Sequence, residues 1–304
     1  MAFLCRETGG GKLEMRGLSG RRCLSRLLLP VLLFLWLFPA AGIGEAALRG
    51  YSDSEGYVYV TLGRYPQTAE GEIQPILWRV LAADDEKCIL LSEYILFARC
   101  MNASLLDYRD VFRGDFGKTD LCAYLNGEFT AEAFPDGETD LLLPLEGIGK
   151  VFLPAADDLK NKSYGLGYTT AKSGQASKLR KNPGLCAWGT EWAIKNNGYD
   201  PAVYTKPKMM VEGSSKKEMP LHELRLFVYS DKWAHHSPYW TRDPTDADGR
   251  HARCIKANGH VGHIEVGRDN EGVRPMIHLA QGTFAVASGD GTMDHPYVIV
   301  RKGE

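Results

Sequence analysis

The chain has no surplus of either charge. Against 36 Lys and Arg stand 38 Asp and Glu, and the basic residues are scattered along 304 positions. Nucleic-acid binding needs a clustered basic face, so nucleic acid is not expected as a partner. No Cys-x-x-Cys pair and no His-Glu-x-x-His run occurs, which removes the commonest zinc-knuckle and metalloprotease spacings. Internal repeats are missing. After the N-terminal segment, no apolar run reaches the roughly 20 residues of a membrane span. Long β-branched runs are also missing, while glycine is plentiful at 33 residues. Short strands and many loops are expected.

What the chain does have begins at its N-terminus. Arg21, Arg22 and Arg26 precede the apolar run Leu27 to Phe38, and small residues follow from Ala40 to Ala47. A basic region, a short apolar core and a cleavage-type segment make a secretory signal. Gly44-Glu45-Ala46 is a small-x-small site that sets the mature start near Ala47. Residues 1–46 therefore read as a signal peptide and 47–304 as a single domain. An uncleaved N-terminal anchor is the alternative, because the basic region is long; it would be the chain's sole membrane contact. Gly20-Arg21-Arg22-Cys23-Leu24 has a faint twin-arginine character, but the Leu-rich core suits general secretion better. The expected location is secreted or in the cell envelope. Five cysteines follow the signal: Cys88, Cys100, Cys122, Cys186 and Cys254. An odd count leaves at least one unpaired, and one disulfide or none is expected.

Along the domain, Tyr57–Leu62, Ile76–Ala82 and Cys88–Ser92 read as a meander, with Trp78 and Val80 on one face of the second strand. Lys118–Phe129 reads as a short helix. Thr119 or Asp120 caps it, Leu121, Tyr124 and Leu125 share a face, and Asn126-Gly127 ends it. Val151–Leu153 is a short strand, Ala155–Leu159 a helical turn and Thr190–Gly198 a small helix. Polar insertions lie near 160–184 and 204–220, and Leu224–Tyr229 is β-prone. Phe284–Ala287 and Pro296–Val300 close the chain as strands.

Before them comes Ala252–Val266, two β-prone runs around Asn258-Gly259. A two-residue type I′ turn there pairs Lys256 with Val261, Ile255 with Gly262 and Cys254 with His263. Lys256, Cys254, His263 and Glu265 then share one face. Cys254 opposite His263 could be a thiolate nucleophile or, with Glu265, a partial metal site. The plainer reading, Cys254 in the core and His263 at a solvated edge, is preferred. His235, His236 and His251 add imidazoles nearby, but adjacent histidines on a strand point apart.

Asp243, Asp246 and Asp248 form an acidic loop whose hard oxygens suit Ca²⁺. Pro244 occupies the first ligand position of an EF-hand and no Glu ends the loop, so it is not an EF-hand; a solvated turn is the competing reading. No other cofactor is expected. Trp240, Arg242, Asp243 and Arg274 are candidates for ligand binding, since an aromatic beside a fork of donors suits a sugar or carboxylate. The structural reading, arginines tying loops to backbone carbonyls beside an aromatic roof, is favoured. Asn102-Ala103-Ser104 and Asn161-Lys162-Ser163 are glycosylation sequons, which have meaning only if the source glycosylates exported chains.

Several pieces in one order resemble an uncharacterised bacterial family, domain of unknown function 6273. They are Gly63-Arg64-Tyr65-Pro66-Gln67, Ile76 to Leu81, Leu90 to Leu96, Leu125-Asn126-Gly127-Glu128-Phe129 and Val151-Phe152-Leu153. Tyr239-Trp240-Thr241-Arg242-Asp243-Pro244, Asn258-Gly259 and Gly272-Val273-Arg274-Pro275 complete the set. The resemblance covers about residues 57–280. It departs from the family at Tyr239, where a second Trp is usual, at Cys122, where a basic residue is common, and in the two insertions. The family in turn resembles C-type-lectin-like and sulfatase-modifying-factor-like domains. That implies an α+β, C-type-lectin-like fold of mostly short antiparallel strands, a few short helices and long loops, whose first and last strands pair. The family has no known activity to carry over. The expectation is an exported module binding an extracellular glycan or protein. The alternatives are a formylglycine-generating-factor-like enzyme using Cys254 and His263, and a structural domain of the cell envelope.

Overall fold

The computed structural model describes residues 48–102, 115–166, 183–196, 208–210, 216–218, 238–245, 249–256, 259–269 and 271–303. The expected signal peptide, most of both insertions, Leu224–Tyr229, His235 and His236 lie outside them.

The meander forms as β1 (Val58–Pro66), β2 (Ile73–Ala83) and β3 (Lys87–Ser92). Alternation sends Val58, Val60 and Leu62 of β1 into the core. The strand bulges between Thr61 and Arg64, where Gly63 has φ +68°. A Cβ there would lie 2.7 Å from the Ala133 carbonyl and the Phe134 ring, so the bulge needs glycine twice over. Trp78 on β2 is fully buried, and its indole N–H donates to the Leu62 carbonyl at 2.8 Å.

After β4 (Phe97–Ala98) come α1 (Asp120–Tyr124), a π-helical turn at Leu125–Phe129 and α2 (Thr130–Ala133). Thr119 caps α1, its hydroxyl accepting from the Cys122 amide at 3.0 Å. The expected stop at Asn126-Gly127 does not occur, and the helix continues through it. The Asn126 side chain supplies the reason. Its amide donates to the carbonyls of Cys122 (3.1 Å) and Val151 (2.9 Å), and its oxygen accepts from the Val151 amide at 3.0 Å. The residue extends the helix and docks it, and the turn widens to a π-bulge around it.

The remaining elements are β5 (Leu142–Leu143), β6 (Val151–Phe152), α3 (Ala156–Lys160), α4 (Glu191–Asn196), β7 (Lys208–Met210), β8 (Lys216–Glu218), β9 (Tyr239–Pro244), β10 (His251–Ile255), β11 (Val261–Glu265), β12 (Gly272–Val273), β13 (Met276–Ala280), β14 (Phe284–Ser288) and β15 (Tyr297–Arg301). The architecture is α+β and strand-rich, with short helices.

An eight-stranded sheet runs β14-β15-β1-β2-β3-β13-β5, with β6 also on β13. The first and last strands, β1 and β15, pair in parallel through Val60–Tyr297 and Thr61–Val298. A five-stranded sheet runs β11-β10-β9-β12-β4, and β7 pairs with β8 alone. The chain crosses between the two large sheets at Glu93–Leu96, after β3, and at Arg274-Pro275, between β12 and β13. The crossings are tied together: Ser92 N–H donates to the Pro275 carbonyl and Leu96 N–H to the Val273 carbonyl. One apolar core joins both sheets and includes a cluster of Tyr65, Phe97 and Phe129 with ring centroids 5.2–5.7 Å apart.

Candidate functional site

The junction of the sheets concentrates the buried charge. Arg79 on β2 points its Nε and Nη2 at one oxygen of Glu93, at 2.9 and 2.7 Å, and both side chains are buried. The Arg79 guanidinium lies 4.5 Å from the Tyr57 ring centre. Burial works against the Arg79 charge, but Glu93, Tyr59 and Tyr57 together outweigh it and leave the pKa above its ordinary value. Arg274 is buried on the second crossing. Its Nε donates to the Ser92 carbonyl at 2.7 Å and its Nη1 to the Tyr239 hydroxyl at 3.4 Å, and among the described residues its Nη2 has no acceptor. Tyr239 in turn donates to the Leu185 carbonyl at 2.8 Å.

Trp240 is fully buried, with its indole N–H on the Arg99 carbonyl at 2.8 Å. The candidate platform of Trp240 and Arg274 is therefore interior and joins loops and sheets. Arg242 and Asp243 are half-buried and hold α3. The Arg242 amide donates to the Pro154 carbonyl at 3.0 Å, while Nη1 reaches the Leu153 carbonyl (2.7 Å) and the Asp158 carboxylate (3.0 Å). Asp243 accepts the Ala156 N–H and Asp158 the Ala155 N–H, so two carboxylates sit on the first amides of α3.

The hairpin register differs from expectation by one residue. Cys254 pairs with Gly262, and His263 with Arg253. Gly259 at φ +76° donates its N–H to the Lys256 carbonyl, and Lys256 N–H donates to the His260 carbonyl. Lys256 thus faces His260 across a three-residue connection, a four-residue turn closed by one left-handed glycine. That slip inverts the faces. Cys254 is buried and His263 is exposed on the opposite side, its ring 5.6 Å from that of His251. The nucleophile-base pair of Cys254 and His263 does not form, and burial pushes the Cys254 thiol up to about 11. Glu265 pairs with Arg250 at 3.1 Å instead of joining Cys254. Asp246 and Asp248 lie outside the described residues, and Asp243, the remaining loop ligand for Ca²⁺, is spent on α3. Among the described residues, no three His, Cys, Asp or Glu side chains converge on a common point.

A second polar group lies under the small sheet. Glu271, just before β12, is buried, and among the described residues its Oε2 has no partner. Burial raises its carboxyl to about 7, even with Lys256 and Arg268 pulling the other way. It lies close enough to Cys254 to add to the rise of that thiol. A carboxyl of this kind gains and loses its proton near neutrality, unlike an exposed glutamate.

A family model described as Domain of unknown function (DUF6273) matches residues 85–281. The chain belongs to this family. No curated protein and no solved structure matches the chain. The DUF6273 match starts in the turn before β3 and ends just after β13, so it contains both sheet crossings, Glu93, Glu271 and Arg274. The family-like pieces Gly63–Gln67 and Ile76–Leu81 lie outside the matched residues. Within the DUF6273 region, the motif residues Trp240, Arg242 and Arg274 all make contacts internal to the fold. Arg79, Glu93 and Glu271 escaped the sequence reading. The available signal was the placing of charges inside apolar strands: Arg79 between Trp78 and Val80, Glu93 after Leu90-Leu91-Ser92.

Proposed function

We propose that the protein is an exported binding module of C-type-lectin-like type that engages a glycan or protein outside the cytoplasmic membrane. The observation that carries this reading is the pairing of β1 with β15. It closes the body with its own first and last strands. The conspicuous arginines and tryptophans are then committed to internal ties, which leaves the polar sequence near 160–184 and 204–220 as the candidate ligand-binding part of the chain. The basic, apolar and small-residue sequence of residues 1–46 supports an extracytoplasmic setting.

Residues 47–304, labelled with a fluorophore, are to be incubated with purified bacterial peptidoglycan and with immobilised glycans. Saturable binding to one class is expected, and so is its loss on deleting residues 167–182 while the near-ultraviolet signal of buried tryptophans persists. A folded protein that binds none of these surfaces and no envelope protein by cross-linking would replace this reading with a purely structural envelope domain.

A further inference from the structure

Two buried guanidiniums, Arg79 and Arg274, lie at the sheet junction with one buried carboxylate, Glu93, which pairs with Arg79. Arg274 contacts the Ser92 carbonyl, one residue before Glu93. Both arginines bear on the Tyr57 and Tyr239 hydroxyls. Neither tyrosine supplies negative charge at neutral pH. Burial pushes Tyr57 up to about 12, and Tyr239 rises for the same cause. Among these three described side chains, two cations stand against one anion, a net charge of +1.

The excess falls where donors stand idle. Arg274 has five N–H groups, and Nη2, which carries two of them, is fully buried and meets no acceptor among the described residues. An unpaired charge and idle donors away from water are both destabilising. The Tyr239 ring packs 5.4 Å from the guanidinium and its hydroxyl is held by Leu185, so the arginine has little freedom to turn elsewhere.

We propose that this junction is a resident site for a small monovalent anion of the halide or formate class, held by Nη2 of Arg274. Full enclosure limits the ion to a few atoms. A monovalent ion brings the group of Arg79, Arg274 and Glu93 to neutrality, whereas a dianion would overshoot. The site lies inside the body, so it is independent of what the insertions bind. Because Arg274 ties both crossings, the ion acts as a third tie between the sheets.

Thermal unfolding of the purified protein in sodium bromide, formate and bulky gluconate, at constant ionic strength, tests the site. Bromide and formate are expected to raise Tm saturably, by roughly 5–10 °C at a hundredfold excess over the dissociation constant, and gluconate is not. Glu93→Gln removes the compensating carboxylate and should lower the bromide concentration at half-effect severalfold. Crystals of the unaltered protein grown in bromide should show an anomalous peak within hydrogen-bond reach of Nη2. Identical responses to all three salts, or a water at Nη2 in the bromide crystals, would overturn the proposal.

Discussion

At the scale of single residues, burial sets the chemistry. Glu271 is the clearest case. Its folded pKa of about 7 lies above the ordinary 4.5, so its contribution to stability is fully present below about 4.5 and is lost as pH rises through about 7. Above that, the buried carboxylate costs about 3 kcal/mol relative to the exposed one. Glu271→Gln should therefore raise the urea midpoint at pH 8 and leave it nearly unchanged at pH 5. Equal shifts at both pH values would show that the carboxylate is not the destabilising group. His278 runs in the opposite sense. Burial lowers it to about 4, so its contribution is present above about 6.5 and is lost as pH falls through about 4. Neither residue was legible in the sequence. Glu271 is buried because β12 inserts between β9 and β4, which come from distant parts of the chain.

At the scale of elements, apolar periodicity was a good guide and turn chemistry a poor one. The meander of β1 to β3 was legible because alternating Val, Leu and Trp has one strand-compatible reading. Asn258-Gly259 suggested a two-residue turn, yet the hydrogen bonds of Lys256 enclose three residues. A single added residue was enough to separate Cys254 from His263. Asn126-Gly127 suggested a helix end, but the Asn126 side chain satisfies the β6 edge from within the helix. Asn126→Ala should cost about 2–3 kcal/mol, since it leaves both polar groups of Val151 without their partner. Denaturant unfolding measures this; a loss under 0.5 kcal/mol, roughly the surface-substitution range, would mean that backbone or water replaces the amide.

At the scale of the whole molecule, the closure of the body by its own ends was legible only through family resemblance. Short strands do not announce their partners, and β1 and β15 are more than two hundred residues apart in the chain. Truncation before Tyr297 removes β15, exposes the edge of β1 and strands β14. It should abolish cooperative unfolding in near-ultraviolet circular dichroism, while an intact melt would show that β15 is an accessory strand. The family match covers residues 85–281 and leaves out β1, β2, β14 and β15, so the central region common to the family is flanked by the strands that complete its large sheet.

The packing also decides the fate of the sulfur. Cys88, Cys122 and Cys254 are buried and unbridged, and burial raises all three thiols above their ordinary pKa. Thiolates, not thiols, attack disulfides, so these three are inert towards exchange while the body stays shut. A chain that meets oxidants would then keep its sulfhydryls by sealing them in apolar surroundings, and each opening of the core would put that chemistry at risk.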